Sequence, residues 1–113
     1  MSNSAVAAYT ATSLRRPARS QEAEVFRHAA RALANARKGR VIEQIRALAD
    51  NRRVWLTVMN LMRDPANALP ADLRASIISL SLAVQRELES ESPDFDFLIT
   101  VNQNLAAGLD AHP

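Results

Sequence analysis

The sequence predicts an all-α domain, a small bundle of three to four helices with a mobile N-terminal arm. Three observations indicate this class: apolar residues recur every three or four positions, no alternation of period two persists, and glycine- or proline-containing signals separate the periodic segments. The length of 113 residues allows a single core. We therefore expect a flexible arm over residues 1–19 and one helical bundle domain over residues 20–110.

The first full helix is expected to begin at Ser20, a favourable N-cap, and to end near Gly39. Its apolar face is narrow and rich in alanine, so it has to pack closely against a partner helix. The predicted face consists of Val25, Phe26, Ala29, Leu33 and Ala36.

The second helix is expected to run from about Arg40 to Arg63, where Asp64 and Pro65 end it. Its apolar positions have a heptad-like spacing that predicts one buried seam. Arg52 interrupts this seam. After Trp55 the helix is more apolar, because Leu56, Val58 and Leu61 widen the face. The seam consists of Val41, Ile45, Leu48, Trp55, Met59 and Met62.

Two further helices follow, each opened by a proline-containing start signal. Pro70 suits the first turn of the third helix, and Ser92 is the expected N-cap of the fourth, with Pro93 at its first position. The third helix is expected to bury Leu73, Ile77, Leu80, Val84 and Leu88, broadened by Ile78 and Leu82, and the fourth to bury Phe97, Leu98, Val101, Leu105 and Leu109.

Charge is distributed unevenly between the two halves of the chain. Residues 1–63 carry 12 Lys/Arg against 4 acids, whereas residues 64–113 carry 2 Lys/Arg against 8 acids, so the halves have net charges of +8 and −6. We expect them to attract each other when the chain folds back. A basic half is also compatible with binding to RNA.

Composition excludes several kinds of catalytic site. The chain has no cysteine, its two histidines are His28 and His112, and its two glycines are Gly39 and Gly108. Disulfides, thiolate metal sites and cysteine nucleophiles are therefore absent, and neither a histidine metal pair nor a phosphate-binding glycine loop is present. We expect no cofactor, no metal and no enzymatic activity.

The sequence also indicates where in the cell the protein is expected. No run of 18 apolar residues exists, so we expect no membrane insertion. The basic residues of the arm follow its short apolar stretch, which is the wrong order for a secretory signal, although the composition loosely fits a mitochondrial transit peptide. The default expectation is a cytoplasmic protein.

Arg52 needs a partner or access to solvent, because an unpaired buried guanidinium costs several kcal/mol. Asp50 is wrongly placed to pair with it, but can reach Arg53 or Arg46. Two interpretations remain open: Arg52 braces the bundle by pairing with an acid of the second half, or Arg52 and Arg53 clamp a partner beside an apolar groove. The candidate acids are Asp72, Glu87, Asp94 and Asp96.

Four other side chains have both a core and a binding interpretation. Trp55 is either a core residue or an interface anchor, since Trp and Arg are common at binding hot spots. Met59 fits core filling or an adaptable groove. Asn102 and Asn104 either form hydrogen bonds between helices, contact a partner, or lie on an exposed face that tolerates amides.

The order of four segments resembles the flagellar biosynthesis regulator FlaF family of alphaproteobacteria. These segments are NRRVW, DPANALPADLR, IISLSLAVQRE and LITVNQNLAAGL, and the resemblance covers about Gln21 to Leu109, with AAYTAT similar to the family's small N-terminal arm. The motif positions that the resemblance implies are Asn51, Arg52, Arg53, Trp55, Asp64, Asn67, Leu69, Pro70, Leu73, Arg74, Asn102, Asn104 and Gly108. Gln103 departs from the arginine expected after the first asparagine of the last segment, which puts a charge contact there in doubt.

The resemblance implies a non-enzymatic, chaperone-like or adaptor-like regulator that promotes flagellin synthesis and secretion by binding flagellin and the regulator FlbT. The hypothesised partner-binding residues are Arg52, Arg53, Trp55, Met59, Asn102 and Asn104. The remaining motif positions are expected to be structural.

Two alternatives compete with this function. One is a basic RNA-binding module acting on flagellin messenger. The lack of aromatic residues beside its cations disfavours sequence-specific recognition of single strands, so we do not expect nucleic acid as a partner. Its residues would be Arg15, Arg16, Arg19, Arg37, Lys38 and Arg40. The other is a structural subunit whose apolar face is covered by self-association.

Overall fold

The computed structural model of the chain describes residues 21–111. Within this range the chain forms four helices and no strand: α1 over residues 21–36, α2 over Val41–Arg63, α3 over Ala71–Glu89 and α4 over Phe95–Ala111. The prediction of an all-α bundle is confirmed. The arm expected over residues 1–19 and the N-cap expected at Ser20 lie outside the described residues.

α1 and α4 run antiparallel, as ion pairs near both ends of the two helices show. Arg27 pairs with Asp110, and Arg37, just after α1, pairs with Asp96 at the start of α4. Both pairs join a cation of the basic half to an acid of the second half. The expected attraction between the two halves is therefore realised as contacts between the first and last helices.

α2 and α3 are also antiparallel. Arg52 contacts the end of α3 at Leu88, whereas Met62 and Ile77 line one groove at the other end of the pair. α2 and α4 run in the same direction: Asn102 contacts Asn51 and Trp55 near the middle of α2, and the ends of the two helices meet at a groove that Met62 and Leu109 line. The helices therefore alternate up and down along the chain, as in a simple four-helix bundle.

The core combines small residues of α1 with larger ones from the other helices. α1 buries four alanines, which lets neighbouring helices approach its backbone closely. The buried apolar residues are Ala23, Phe26, Ala29, Ala30, Leu33, Ala36, Ala47, Trp55, Val58, Met59, Val84, Leu88, Leu98, Val101 and Ala106.

Several positions predicted to be buried are exposed. On α2, Val41 is 70% exposed and Ile45 is 56% exposed, so the predicted seam is buried only in part. The cause is the length of α3: it ends at Glu89, next to the carbonyl that Arg52 contacts, and Val41 and Ile45 lie beyond that end. The other exposed residues of the predicted faces are Val25, Leu56, Leu61, Leu73, Leu82 and Phe97.

The start signals of α3 and α4 act one or two residues later than predicted. Pro70 is the N-cap residue of α3 rather than part of its first turn. In α4 the capping side chain is Asp94, whose Oδ1 accepts the Phe97 backbone N–H at 3.1 Å, and not Ser92. An ionised Asp at this position accepts orphan N–H groups and also complements the helix dipole.

None of the helices between residues 21 and 111 combines the length and the hydropathy that a bilayer crossing requires.

Candidate functional site

Three side chains form a buried polar chain between α2 and α4. The indole Nε1 of Trp55 donates to Oδ1 of Asn102 at 2.8 Å, and Nδ2 of Asn102 donates to Oδ1 of Asn51 at 2.6 Å. All three residues are fully buried. Buried amides and indoles require such partners, because leaving them unpaired in the core is costly.

The orientation of both amides follows from the chemistry of the indole. Nε1 of Trp55 only donates, so Asn102 must present its oxygen to it and its Nδ2 group to the other side. Asn51 must then accept with its oxygen. Its own Nδ2 is left with no hydrogen-bond acceptor among the described residues.

Trp55 also contacts α1 through its ring. The Phe26 and Trp55 ring centroids are 5.5 Å apart, and the planes make an angle of 60°, which is the edge-to-face arrangement that aromatic pairs favour. Met59, one turn later on α2, is buried as well. Of the six hypothesised partner-binding residues, Trp55, Met59 and Asn102 thus contact this chain's own core in this conformation.

Arg52 lies on the exposed side of α2. Its Nη2 donates to the Leu88 carbonyl at 3.3 Å, close to the C-terminus of α3, where a cation is favourable to the helix dipole. The expected pairing with an acid of the second half does not occur within residues 21–111. The candidate acids have other contacts. Asp96 pairs with Arg37, and Asp72 accepts the Leu73 backbone N–H. Glu87 accepts hydrogen bonds from the Ser90 hydroxyl and the Asp94 backbone N–H, while the Asp94 side chain caps α4.

Arg53 and Asn104 are both exposed, on different surfaces. Arg53 pairs with Asp50 at 3.0 Å, one of the two pairings that the helical spacing allows for Asp50. Asn104 lies two residues after Asn102, and therefore on the opposite side of α4 from the polar chain. The structure does not bring Asn104 to the α2 surface that carries Arg52 and Arg53.

The motif positions between α2 and α3 form one hydrogen-bonded connection. Asp64 Oδ1 accepts the Ala66 N–H at 2.9 Å, and the Asn67 backbone N–H donates to the Asp64 carbonyl at 3.0 Å. Asn67 Nδ2 donates to the Leu61 carbonyl at 2.8 Å while its Oδ1 accepts the Leu69 N–H at 2.9 Å. One amide thus caps the end of α2 and shapes the following turn.

Arg74 completes this connection, because its Nε donates to the Leu69 carbonyl at 3.1 Å. Leu73, beside it, is exposed. Gly108 in α4 is half-buried, and a Cβ placed there would meet no heavy atom within 4 Å, so close packing does not demand glycine at this position.

An apolar groove of about 400 Å³ opens at the end of the bundle where α1 begins. All four helices and the connection between α2 and α3 line it, with Glu22 and Asn67 supplying polar groups. Sequence patterning did not indicate this groove, because it arises from the relative positions of helix ends. Its apolar lining includes Phe26, Val58, Met62, Leu69, Leu105 and Leu109.

Most cations named for RNA binding in the described range have carboxylate partners. Arg37 pairs with Asp96 and Arg40 pairs with Glu43, while Arg15, Arg16 and Arg19 lie outside residues 21–111. On α1, the hydrogen bond and charge of Arg31 hold the pKa of Glu24 below its ordinary value. Within residues 21–111, carboxylates therefore neutralise two of the three cations named for RNA binding, which weakens the charge argument there.

A family model described as Flagellar protein FlaF matches residues 5–109. The chain belongs to the FlaF family. The match spans nearly the whole sequence, so it includes every residue of the polar chain and of the connection between α2 and α3. No curated protein and no solved structure matches this FlaF chain. It is a flagellar protein of all-α fold.

Proposed function

We propose that this FlaF protein is a non-enzymatic, cytoplasmic regulator of flagellum biogenesis that promotes flagellin synthesis and secretion by binding flagellin and the regulator FlbT. The observation that carries the proposal is the match to the flagellar family over residues 5–109. A role in protein binding is supported by the architecture of the domain, which is a small helical bundle with several large apolar side chains exposed on its surface.

Helical partners suit such a surface. Amphipathic helices dock through apolar residues at helical spacing, and flagellin termini are helices of this type as the family resemblance implies. The hypothesised site divides into two classes of residue. Arg52 and Arg53 are proposed to touch a partner at α2 and Asn104 to do so on α4, whereas Trp55, Met59 and Asn102 keep the helices in position.

Co-purification tests this function. The full chain is mixed with purified monomeric flagellin and, separately, with FlbT, and complexes are separated by size-exclusion chromatography. We expect a complex with each protein. Absence of both complexes contradicts the proposal. If the chain instead binds flagellin messenger without either protein, and this binding weakens steeply as the salt concentration rises, an RNA-binding module is favoured.

A further inference from the structure

A row of residues on α2, exposed except at the half-buried Ala49, has the spacing of a coiled-coil seam. Ile42, Ile45, Ala49, Arg52 and Leu56 follow one another at intervals of three, four, three and four residues. This is the heptad pattern by which one helix packs along another. Here the term outer seam denotes these five residues.

The outer seam is distinct from the face that α2 presents to the core. The core face contains Ala47, Asn51, Trp55 and Val58, whereas Ile42 is 47% exposed, Ile45 is 56% exposed and Leu56 is 45% exposed. Ala49 is half-buried and Arg52 is exposed. From Ile42 to Leu56 the seam covers 14 residue-to-residue steps, or about 21 Å of helix, which corresponds to two heptads.

The end of α3 explains why the N-terminal half of this row stays uncovered. Arg52 contacts Leu88 in the last turn of α3, so the N-terminal half of the outer seam extends past that helix. Within residues 21–111 the guanidinium uses one N–H for the Leu88 carbonyl, which leaves four of its five N–H groups for a partner. A helix laid on the seam would pass directly over Arg52.

The charge along the seam is basic. Arg46 and Arg53 occupy the positions immediately after Ile45 and Arg52, at the flank where coiled-coil partners form ion pairs. Within the described range Arg46 has no ion pair, and Arg53 pairs only with the exposed Asp50. The complementary ligand therefore carries carboxylates beside its apolar stripe.

A second copy of the chain fits this seam poorly. An antiparallel pairing of two outer seams centred on Ala49 sets Arg52 of one copy against Arg46 of the other, and Ile45 against Arg53. Like charges in such positions destabilise a complex, so the cations select against self-association.

We propose that the outer seam binds an amphipathic helix of a partner protein, with apolar residues at heptad spacing and Asp or Glu on the flank that faces Arg46, Arg52 and Arg53. This inference rests on the function proposed above, under which the helix belongs to flagellin. It differs from the earlier site hypothesis in its apolar residues, which are Ile42, Ile45 and Leu56 rather than Trp55 and Met59.

The test compares matched substitutions in the full chain, with purified monomeric flagellin as the probe. Ile45→Glu and Leu56→Glu change the seam, and Leu82→Glu on α3 is the control because Leu82 is as exposed as Leu56. Circular dichroism and thermal unfolding verify that all three variants fold. We expect the Kd for flagellin to rise at least tenfold for each seam variant and less than threefold for the control.

The double variant Arg46→Glu with Arg53→Glu tests the charge beside the seam. It should also weaken binding to flagellin and make this binding less dependent on salt, because salt screens the attraction between unlike charges.

The outcomes separate the seam from the function. If the unaltered chain binds flagellin and both folded seam variants bind equally well, the seam proposal is wrong and the proposed function stands. If the unaltered chain binds neither flagellin nor FlbT, the proposed function itself fails. If the seam variants lose FlbT binding only, or change the mass measured by sedimentation without affecting flagellin, the assigned occupant is wrong.

Discussion

Trp55 on α2 and Asn102 on α4 are joined by a hydrogen bond of 2.8 Å inside the core, and this bond sets the orientation of the remaining polar groups there. Asn102 accepts from the indole on one side and donates to Asn51 on the other. The three side chains therefore act as a unit, and removal of the middle one leaves two buried groups without partners.

Asn102→Leu should strongly destabilise the bundle. The substitution leaves the Trp55 N–H and the Asn51 oxygen unpaired, and each such buried group costs about 1–3 kcal/mol. We expect the free energy of unfolding to fall by about 2–5 kcal/mol in urea titration. Asn104→Leu, on the exposed side of the same helix, is the matched control and should change it by less than about 0.5 kcal/mol. Similar losses in the two variants would contradict the internal role of Asn102.

Trp55→Phe should remove the hydrogen bond while retaining part of the aromatic packing with Phe26. We expect a loss of about 1–3 kcal/mol, since the Asn102 oxygen loses its donor. In the double variant with Asn102→Leu the losses should add incompletely, because both substitutions disrupt the same bond. Strict additivity in chemical unfolding would show that the two side chains act independently.

Asn67→Ala should loosen the connection between α2 and α3. It deletes the donor to the Leu61 carbonyl and the acceptor of the Leu69 N–H together, so we expect a loss of about 1–2 kcal/mol. Asn60→Ala serves as the control, because Asn60 is an exposed asparagine near the end of α2. This substitution should be nearly neutral. Equal midpoints of thermal unfolding for the two variants would argue against this capping role.

Asp94→Ala and Ser92→Ala distinguish the observed cap of α4 from the one predicted by sequence. Loss of the Asp94 side chain should cost about 0.5–2 kcal/mol, because the first turn of α4 loses its capping acceptor. Ser92→Ala should have almost no effect. A larger loss for Ser92→Ala would place the N-cap two residues earlier.

Arg52→Ala should affect stability only slightly. The side chain is exposed and makes one 3.3 Å bond to a backbone carbonyl, so we expect a loss of no more than about 1 kcal/mol. Arg52→Lys tests whether charge near the end of α3 accounts for that loss. A loss of 3 kcal/mol or more for Arg52→Ala would instead identify the arginine as an essential brace of the bundle.

Helical periodicity was sufficient to predict the fold class, since four periodic segments, separated by a glycine at the first boundary and by proline-containing signals at the next two, can bury their faces only against one another. Periodicity could not locate the ends of neighbouring helices. Val41 and Met59 lie on the same side of α2 by their spacing, yet only Met59 is buried, because α3 covers one half of that face.

The candidate site was predictable in parts. The pairing of Asp50 with Arg53 followed from local spacing, whereas the partner of Arg52 did not, because a backbone carbonyl leaves no signal in residue types. The link between Trp55 and Asn102 joins residues 47 positions apart. Its only indications in sequence were a lone indole N–H and an asparagine at helical spacing from the apolar residues Leu98 and Leu105.

The difference in length between α2 and α3 divides the second helix into two regions of unequal protection. Its C-terminal half packs against three helices, while its first turns lie beyond the end of α3 and have the exposed Val41 and Ile45. Local opening requires least free energy where few buried contacts must break. Backbone amides near the start of α2 should therefore exchange with deuterium well before those around Trp55, and the protection gained there on binding would report directly on a bound helix.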